Sequence, residues 1–290
     1  MLDPVSRIRR FNRAVTSEVG ALDSSFLGRG RPLGSARVLN AAGRGRSDVA
    51  DIRDHLQLDS GLMSRLLRGL EEEGLITTEA HPGDARRRVV TLTEAGQQEF
   101  AAYEALSNER ADDLLARYPR ADELLRAMDI VACALGRDRI TIEEADPLSD
   151  MARHCLGEYY AELARRFEKG FDVSLSCDPD AKDLVRPRGA FLVAMSDGLP
   201  IGCVALKGSG GKIAEIKRLW ICPSARGLGL AKRLMTTAEA VARELAITAL
   251  RLDTNSALPE AIQLYKRSGW VEIPRFNDDP YPDHFFEKML

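Results

Sequence analysis

The sequence predicts a multidomain protein: a mainly α domain closed by a β-hairpin, followed by an α/β domain. Its 290 residues are too many for one small core and suit two domains of ordinary size. The pattern changes near Leu135-Gly136-Arg137-Asp138, where amphipathic helices give way to strands alternating with helices. Within the second part, one strand turns through glycines directly into a helix at Arg226–Ala231. The domains are therefore expected at 1–136 and 139–290.

A chain with 44% hydrophobic and 29% charged residues has the balance of an ordered globular protein. No segment approaches the ~20 apolar residues of a membrane helix. The arginine-rich Met1–Arg13 is not followed by an apolar core, so it does not read as a signal peptide. The five cysteines (Cys133, Cys155, Cys177, Cys203, Cys222) are odd in number and far apart, which fits a reducing cytoplasm better than a disulfide framework. The four histidines lack metal-ligand spacing, and no metal is expected.

The net charge of −3 does not favour bulk nucleic-acid binding. Residues 1–136 carry 19 arginines, no lysine and 21 acidic residues, a net −2. Placement matters more than the sum. Basic residues cluster at Arg7–Arg13, Arg29–Arg46, Arg65/Arg68 and Arg86–Arg88, so a positive face on an acidic domain is possible.

In the first domain Val5–Leu22 reads as a helix, and Val49, Ile52 and Leu56 form an apolar stripe on another starting near Ser47 or Asp48. A third starts near Asp59, turns Leu62, Leu66, Leu67 and Leu70 inward, and stops at Gly74. Leu75–Glu79 and Arg87–Thr93 flank the turn His81-Pro82-Gly83-Asp84, and Thr93 caps a helix to about Arg117, with Ala121–Leu135 after it. Helix, tight connection, helix and hairpin is the order of a winged helix-turn-helix, whose second helix lays its polar face in the major groove. Burying the leucines leaves Ser60, Ser64, Arg65 and Arg68 outward, hydroxyls and guanidinium forks suited to bases or phosphates. The hairpin tip projects Arg86, Arg87 and Arg88 toward a narrow, negative minor groove.

Leu70–Ile76 followed by Asp84–Gly96 resembles the MarR family of transcription regulators, over about residues 1–136. The resemblance implies that Asp84 shapes the wing and Arg86 enters the minor groove. It also implies a homodimer, formed by Val5–Leu22 and Thr93–Leu135, on a near-palindromic double-stranded DNA operator.

In the second domain strands are expected at Arg139–Glu143, Ala190–Met195, Ile201–Lys207, Lys212–Ile221 and Ala249–Thr254, with a helix at Leu148–Phe167. The helix after the glycine turn has one apolar face of Leu230, Leu234, Ala238, Val241, Ala242 and Leu245. A strand–glycine turn–helix junction is an anion site, since unpaired N–H groups and the positive dipole end converge there. Lys232 and Arg233 add charge. Neither a nucleotide P-loop ending nor a dinucleotide Gly-x-Gly-x-x-Gly is present.

Downstream come Asn255 and Ala261-Ile262-Gln263-Leu264-Tyr265-Lys266-Arg267-Ser268-Gly269-Trp270. Over about residues 139–290 the chain resembles the GNAT superfamily of acyl-CoA N-acyltransferases. Arg226, Gly229 and Ala231 match its main motif, and Asn255, Ala261, Tyr265 and Gly269-Trp270 its second. The resemblance implies a mixed central sheet and acetyl-CoA bound along Leu219, Trp220, Ile221, Arg226, Gly227, Leu228, Gly229, Leu230, Ala231, Lys232 and Asn255. It makes Tyr265 the general acid toward the CoA sulfur and Glu215 a candidate base, direct or through water. Strand alternation would put Glu215, Lys217 and Leu219 on one face, where Glu215 has the alternative of pairing with Lys217. Tyr281, His284 and His154 are candidates to border the acceptor site.

The two resemblances imply a cytoplasmic regulator that is also an N-acetyltransferase for a small amine. One alternative is a regulator whose second domain only senses acyl-CoA or an amine. The other is an enzyme whose winged helix serves dimerisation alone. The acceptor stays open among amino acids, amine drugs, polyamines and protein lysines.

Overall fold

The computed structural model describes residues 3–168, 170–175 and 181–290; Cys177 lies outside them. The chain divides into two compact units, Met1–Ala121 and Asp122–Leu290.

The first unit is built from α1 (Pro4–Glu18), α2 (Leu33–Gly43), α3 (Val49–Leu56), α4 (Ser60–Glu72), the hairpin β1 (Ile76–His81) and β2 (Asp84–Leu92), and α5 (Glu94–Arg117). Short polar side chains start its helices. The Asp48 carboxylate accepts from the N–H groups of Ala50 and Asp51 at the head of α3, and Asp59 from Leu62 at the head of α4. Between them Gln57 takes a left-handed turn (φ 54°), so α3 and α4 are held as a tight pair. Gly74 ends α4 at φ 68°, as its spacing predicts. Val38, Leu39, Ile52, Met63, Leu67, Leu70 and Ile76 fill the core. Met63 takes the inward position expected of Leu62, which is only half-buried, because the inward face of α4 is set by where α2 lies. At the start of α5 a Cβ on Gly96 would sit 1.9 Å from the Leu75 carbonyl oxygen, so only glycine allows this close approach.

The second unit begins with α6 (Ala121–Leu135), whose Cys133 is buried in that unit's core. The pattern change read at 136–140 therefore falls one helix after the structural division. There follow β3 (Thr141–Glu144), α7 (Asp150–Arg166), β4 (Ala190–Ser196), β5 (Leu199–Gly208), β6 (Ile213–Ile221), α8 (Leu230–Glu244), β7 (Ala249–Thr254), α9 (Pro259–Arg267), β8 (Val271–Glu272) and β9 (His284–Met289). The strands form one seven-stranded mixed sheet in the order β3-β4-β5-β6-β7-β9-β8. Among the described residues only β6 and β7 run parallel, with α8 as their crossover. One face packs α8 and α9 through Ile216, Leu230, Leu234, Ala238, Leu250 and Phe286. The other packs α7 through Cys155, Phe191, Val193, Cys203 and Trp220. The expected apolar face of α8 is buried apart from half-buried Leu245, and Met235 joins it.

Candidate functional site

The centre of the site is a gap in the sheet. β6 pairs with β7 only from Ile213↔Ala249 to Ile216↔Leu252, although both strands continue. The cause lies on the other edge of β6, where the β5 ladder slips between Cys203↔Trp220 and Ala205↔Lys217. At this β-bulge Arg218 adopts φ 56°, a left-handed conformation that costs a side-chain-bearing residue about 1–3 kcal/mol. The slip also reverses the facing of the strand. Glu215 and Lys217 lie on the α7 face, but past the bulge Trp220 takes that face, and Leu219 and Ile221 turn toward α8 and α9. The expectation that Leu219 shares a face with Glu215 and Lys217 is therefore corrected, because one extra residue shifts a period-2 pattern by one. Cys222 donates to the Ile201 carbonyl at 2.9 Å, so by antiparallel alternation Leu219 and Ile221 direct their backbone groups into the gap.

The gap opens at one end onto the turn before α8. Gly227 and Gly229 both have φ 78°, and open space surrounds the position where a Cβ would stand. Gly229 is the N-cap of α8 and no side chain caps that end, so the first-turn N–H groups point outward unanswered. A cavity of about 490 Å³ runs beside them, lined by Leu219, Trp220, Ile221, Arg226, Gly227, Gly229, Leu230, Ala231 and Lys232 among others. Arg226 braces this turn, donating through Nε to the Ile221 carbonyl at 3.1 Å and through Nη2 to Glu162 at 2.5 Å. This unhindered, donor-rich cradle fits a pyrophosphate, and the apolar run from Leu219 to Ile221 fits an extended chain behind it.

At the other end is a smaller cavity of about 100 Å³. Its walls include Tyr159, Tyr160, Lys217, Arg218, Leu219, Asp253, Asn255, Tyr265, Asp279 and Tyr281. Tyr159 and Leu219 line both cavities. The hydroxyls of Tyr159 and Tyr265 make no hydrogen bond among the described residues. Burial pushes both phenols well above the usual tyrosine range, with smaller contributions from nearby anionic groups such as Asp253. Burial opposes the Lys217 charge, but Asp253 at 2.6 Å and Glu215 at 3.4 Å outweigh it and hold the ammonium above its ordinary range.

The structure thus gathers most of the sequence-derived residues and separates a few. Leu228 does not line the larger cavity but anchors the turn on the core. Asn255 lines the smaller one, and its amide is engaged at both ends, donating to the Tyr281 carbonyl at 2.6 Å and accepting from Ala257 N–H at 2.8 Å. Glu215 lines neither cavity and lies between Lys207 and Lys217, at 3.8 and 3.4 Å. Of the acceptor-site candidates Tyr281 lines the smaller cavity, whereas His284 pairs with Glu272 at 2.7 Å and His154 stands edge-on to Trp220. Tyr159, Arg218, Asp253 and Asp279 escaped the sequence reading, since only the bulge and the 274–283 loop bring them together. The Tyr159-Tyr160 pair on an amphipathic helix was the one available hint.

On the first unit, Ser60, Ser64, Arg65 and Arg68 are all exposed on α4. Asp84 accepts from the Arg86 N–H at 3.0 Å, which shapes the hairpin tip. The arginines of the tip divide. Arg87 pairs with Asp48 at 2.9 Å and Arg88 with Glu71 at 3.6 Å, while Arg86 makes no ion pair among the described residues. The Arg29–Arg46 cluster is largely ion-paired within the unit: Arg29 and Arg31 converge on Glu99, Arg44 meets Glu104 and Arg46 meets Asp51.

Residues 154–270 match the model of the Acetyltransferase (GNAT) family, and residues 30–87 that of the MarR family. Over 157 residues the chain is 32% identical to an IAA acetyltransferase of Azospirillum brasilense, covering 52% of this chain and 98% of that one. It is 30% identical over 142 residues to the uncharacterized N-acetyltransferase YjgM of Escherichia coli (strain K12), covering 47% and 81% of the two chains. Among solved structures it is similar to an acetyltransferase of the GNAT family from Staphylococcus aureus MU50, at 18% identity and a TM-score of 0.45, over 52% of this chain and 98% of that chain.

Proposed function

Because the chain belongs to the GNAT acetyltransferase family and carries a MarR-family domain ahead of its acetyltransferase unit, we propose that it is a bifunctional transcription regulator and acetyl-CoA-dependent N-acetyltransferase, acting on a small amine by direct transfer. The observation that carries the enzymatic reading is the gap between β6 and β7, which joins an anion cradle to a separate cavity through the plane of the sheet. Acetyl-CoA supplies the thioester. The N–H groups at Gly227–Lys232 would hold its pyrophosphate, and the backbone of Leu219 and Ile221 the chain between phosphate and thioester.

Direct transfer forms a bond from the acceptor nitrogen to the acetyl carbon and breaks the carbon–sulfur bond. The nitrogen must lose a proton and the departing sulfur benefits from gaining one. Tyr265 is the candidate donor: it lines the smaller cavity, and burial raises its phenol further above neutrality, so the proton is in place to be given. Glu215 acts in this reading by orienting Lys217, and Asp253, which lines the cavity, is better placed to receive the acceptor's proton directly or through water.

For the regulatory half, α4 offers Ser60, Ser64, Arg65 and Arg68 to a DNA duplex, and the wing offers Arg86. A homodimer would cover the apolar stripe of Val5, Ile8, Phe11, Val15, Val19 and Leu22, all exposed along α1 and just beyond it. A reducing cytoplasm suits the free Cys133, Cys155, Cys203 and Cys222.

The test is calorimetric titration with acetyl-CoA together with thiol release in the presence of a panel of amines. Binding and turnover are expected, both lost in Gly229→Glu, where a carboxylate would stand in the anion cradle. A chain that neither binds nor turns over acetyl-CoA overturns the enzymatic reading.

A further inference from the structure

The smaller cavity has charged groups in its wall, but their charges are met within the fold. Lys217 lies between Asp253 and Glu215, at 2.6 and 3.4 Å, and Asn277 donates to the same Asp253 oxygen at 2.6 Å. Asp279 accepts from the Tyr281 N–H at 3.1 Å, and the Arg218 guanidinium lies 5.9 Å from the centre of the Tyr160 ring. Both Arg218 and Asp279 are engaged inside the protein. An acceptor with a second charge would give up water for a wall whose charges already answer one another.

What the cavity offers a ligand is rings. Phe167, Phe171 and Tyr281 line it, each half-buried. The three meet pairwise: Phe171 and Tyr281 centroids are 4.7 Å apart, Phe167 and Tyr281 5.8 Å, and Phe167 and Phe171 6.0 Å. They come from three stretches of chain, namely the end of α7, the segment turned back by Gly170 at φ 71°, and the 274–283 loop. The Tyr281 hydroxyl accepts from the Asp172 N–H at 2.8 Å and donates to the Asp172 carbonyl at 3.2 Å. Its polar edge is thus satisfied by backbone, and its ring is fixed beside Phe171. From this juxtaposition of an anchored three-ring wall with charges matched among themselves, we infer that the acceptor is an arylalkylamine: one primary amine on a short chain bearing an aromatic ring, with no carboxylate and no second cation. Ring-to-ring contact with Phe171 and Tyr281 adds to the burial of apolar area. An apolar setting also favours the neutral amine, the form that attacks a thioester, and the amide product carries no charge. A polyamine, a free amino acid or a peptide lysine would each bring charged or polar groups into the same wall.

This inference rests on the acetyltransferase reading, and the experiment separates the two. Full-length protein is assayed for thiol release from acetyl-CoA with phenethylamine, cyclohexylethylamine, phenylalanine, spermidine and a lysine peptide. Phenethylamine is expected to exceed phenylalanine, spermidine and the peptide in kcat/KM by about tenfold or more. It should exceed cyclohexylethylamine, which is apolar but has no ring face, by about threefold or more. Phe171→Leu should erase that last margin by raising KM for phenethylamine with kcat little changed, and Phe171→Tyr should keep it. Equal losses on both amines in Phe171→Leu overturn the inference, by making the ring structural. Should that variant melt far below the parent protein, the parent's own order of acceptors decides. No preference, or a preference for any other acceptor in the panel, overturns the inference and leaves the enzyme intact. If acetyl-CoA binds but nothing is acetylated, equilibrium dialysis of phenethylamine against the CoA-saturated protein decides: absence of binding that Phe171→Leu weakens refutes the inference. Absence of acetyl-CoA binding altogether refutes the acetyltransferase reading, and the inference falls with it.

Discussion

Lys217 Nζ lies 2.6 Å from Asp253 Oδ2, one register step beyond Ile216↔Leu252, the last backbone pair between β6 and β7. A side-chain ion pair thus closes the ladder at the point where the backbone bonds stop. Asn277 also donates to the same carboxylate oxygen, at 2.6 Å, which ties the 274–283 loop to the mouth of the gap.

Removing one partner of this pair leaves a buried charge without its mate. Asp253→Asn should destabilise the second unit by about 3 kcal/mol, the lower end for a buried pair because Glu215 still faces Lys217. Urea unfolding checks this, and Lys217→Met combined with Asp253→Leu should recover most of the loss. The pH dependence has a definite sign. The folded ammonium is held above its ordinary value, so its stabilisation is complete at neutral pH and is lost only as pH rises through the lysine range and beyond. Asp253→Asn should flatten that alkaline decline.

Tyr265 packs its ring near Trp270 and Phe286, at centroid distances of 6.1 and 5.8 Å. Tyr265→Phe keeps those contacts and removes only the hydroxyl. Loss of a proton donor should lower kcat by about 100-fold with acetyl-CoA affinity unchanged. Since the phenol titrates far above neutrality, an alkaline fall in rate below pH 10 would belong to another group. A larger loss from Tyr159→Phe would pass the donor role to α7.

Glu215→Gln distinguishes a base from a brace. A carboxylate outside both cavities should matter through Lys207 and Lys217 alone, so kcat should fall less than about tenfold and the acid limb of the pH profile should stay. A drop of about 1000-fold, with that limb abolished, would restore Glu215 as the general base.

On DNA, Arg86 and Arg87 should separate. Arg86 makes no ion pair among the described residues, so Arg86→Ala should weaken operator binding and reduce the slope of log affinity against log salt by about one. Arg87→Ala removes the pair with Asp48 that holds the wing to the head of α3. Its effect should include a loss of thermal stability that Arg86→Ala lacks.

Gly229 offers a milder probe. Gly229→Ala keeps the cradle open but forces a Cβ into a left-handed conformation, costing about 1–2 kcal/mol. Melting temperature and acetyl-CoA affinity should fall together, the affinity far less than in Gly229→Glu.

Elements whose signals are local were legible in the residues. The helix starts near Asp48 and Asp59, the Thr93 cap, the stop at Gly74, the turn before β2 and the strand–glycine–helix junction at Arg226–Ala231 each depend on neighbours in the chain, and the structure has them where the sequence placed them. The anion cradle was legible for the same reason: a helix N-terminus and its glycines are contiguous. Which arginines stay available for DNA was not, because Asp48, Glu71, Glu99 and Glu104 reach their partners only after folding.

The acceptor side was decided by tertiary structure. Read as an uninterrupted strand, Lys212–Ile221 puts Glu215, Lys217 and Leu219 on one face, and only the family resemblance made Glu215 a candidate base. The bulge at Arg218 is invisible in that pattern, since it arises from how β6 registers against β5, a strand earlier in the chain. That one-residue slip turns Leu219 toward α8 and α9 and sets Arg218 in the wall of the smaller cavity, while Glu215, ahead of the slip, lines neither cavity. By itself the sequence determined the two families, the order of their elements and the anion cradle, all set by local spacing. The sheet alone decided which charges line the smaller cavity, because register and burial are properties of strands brought together from a distance.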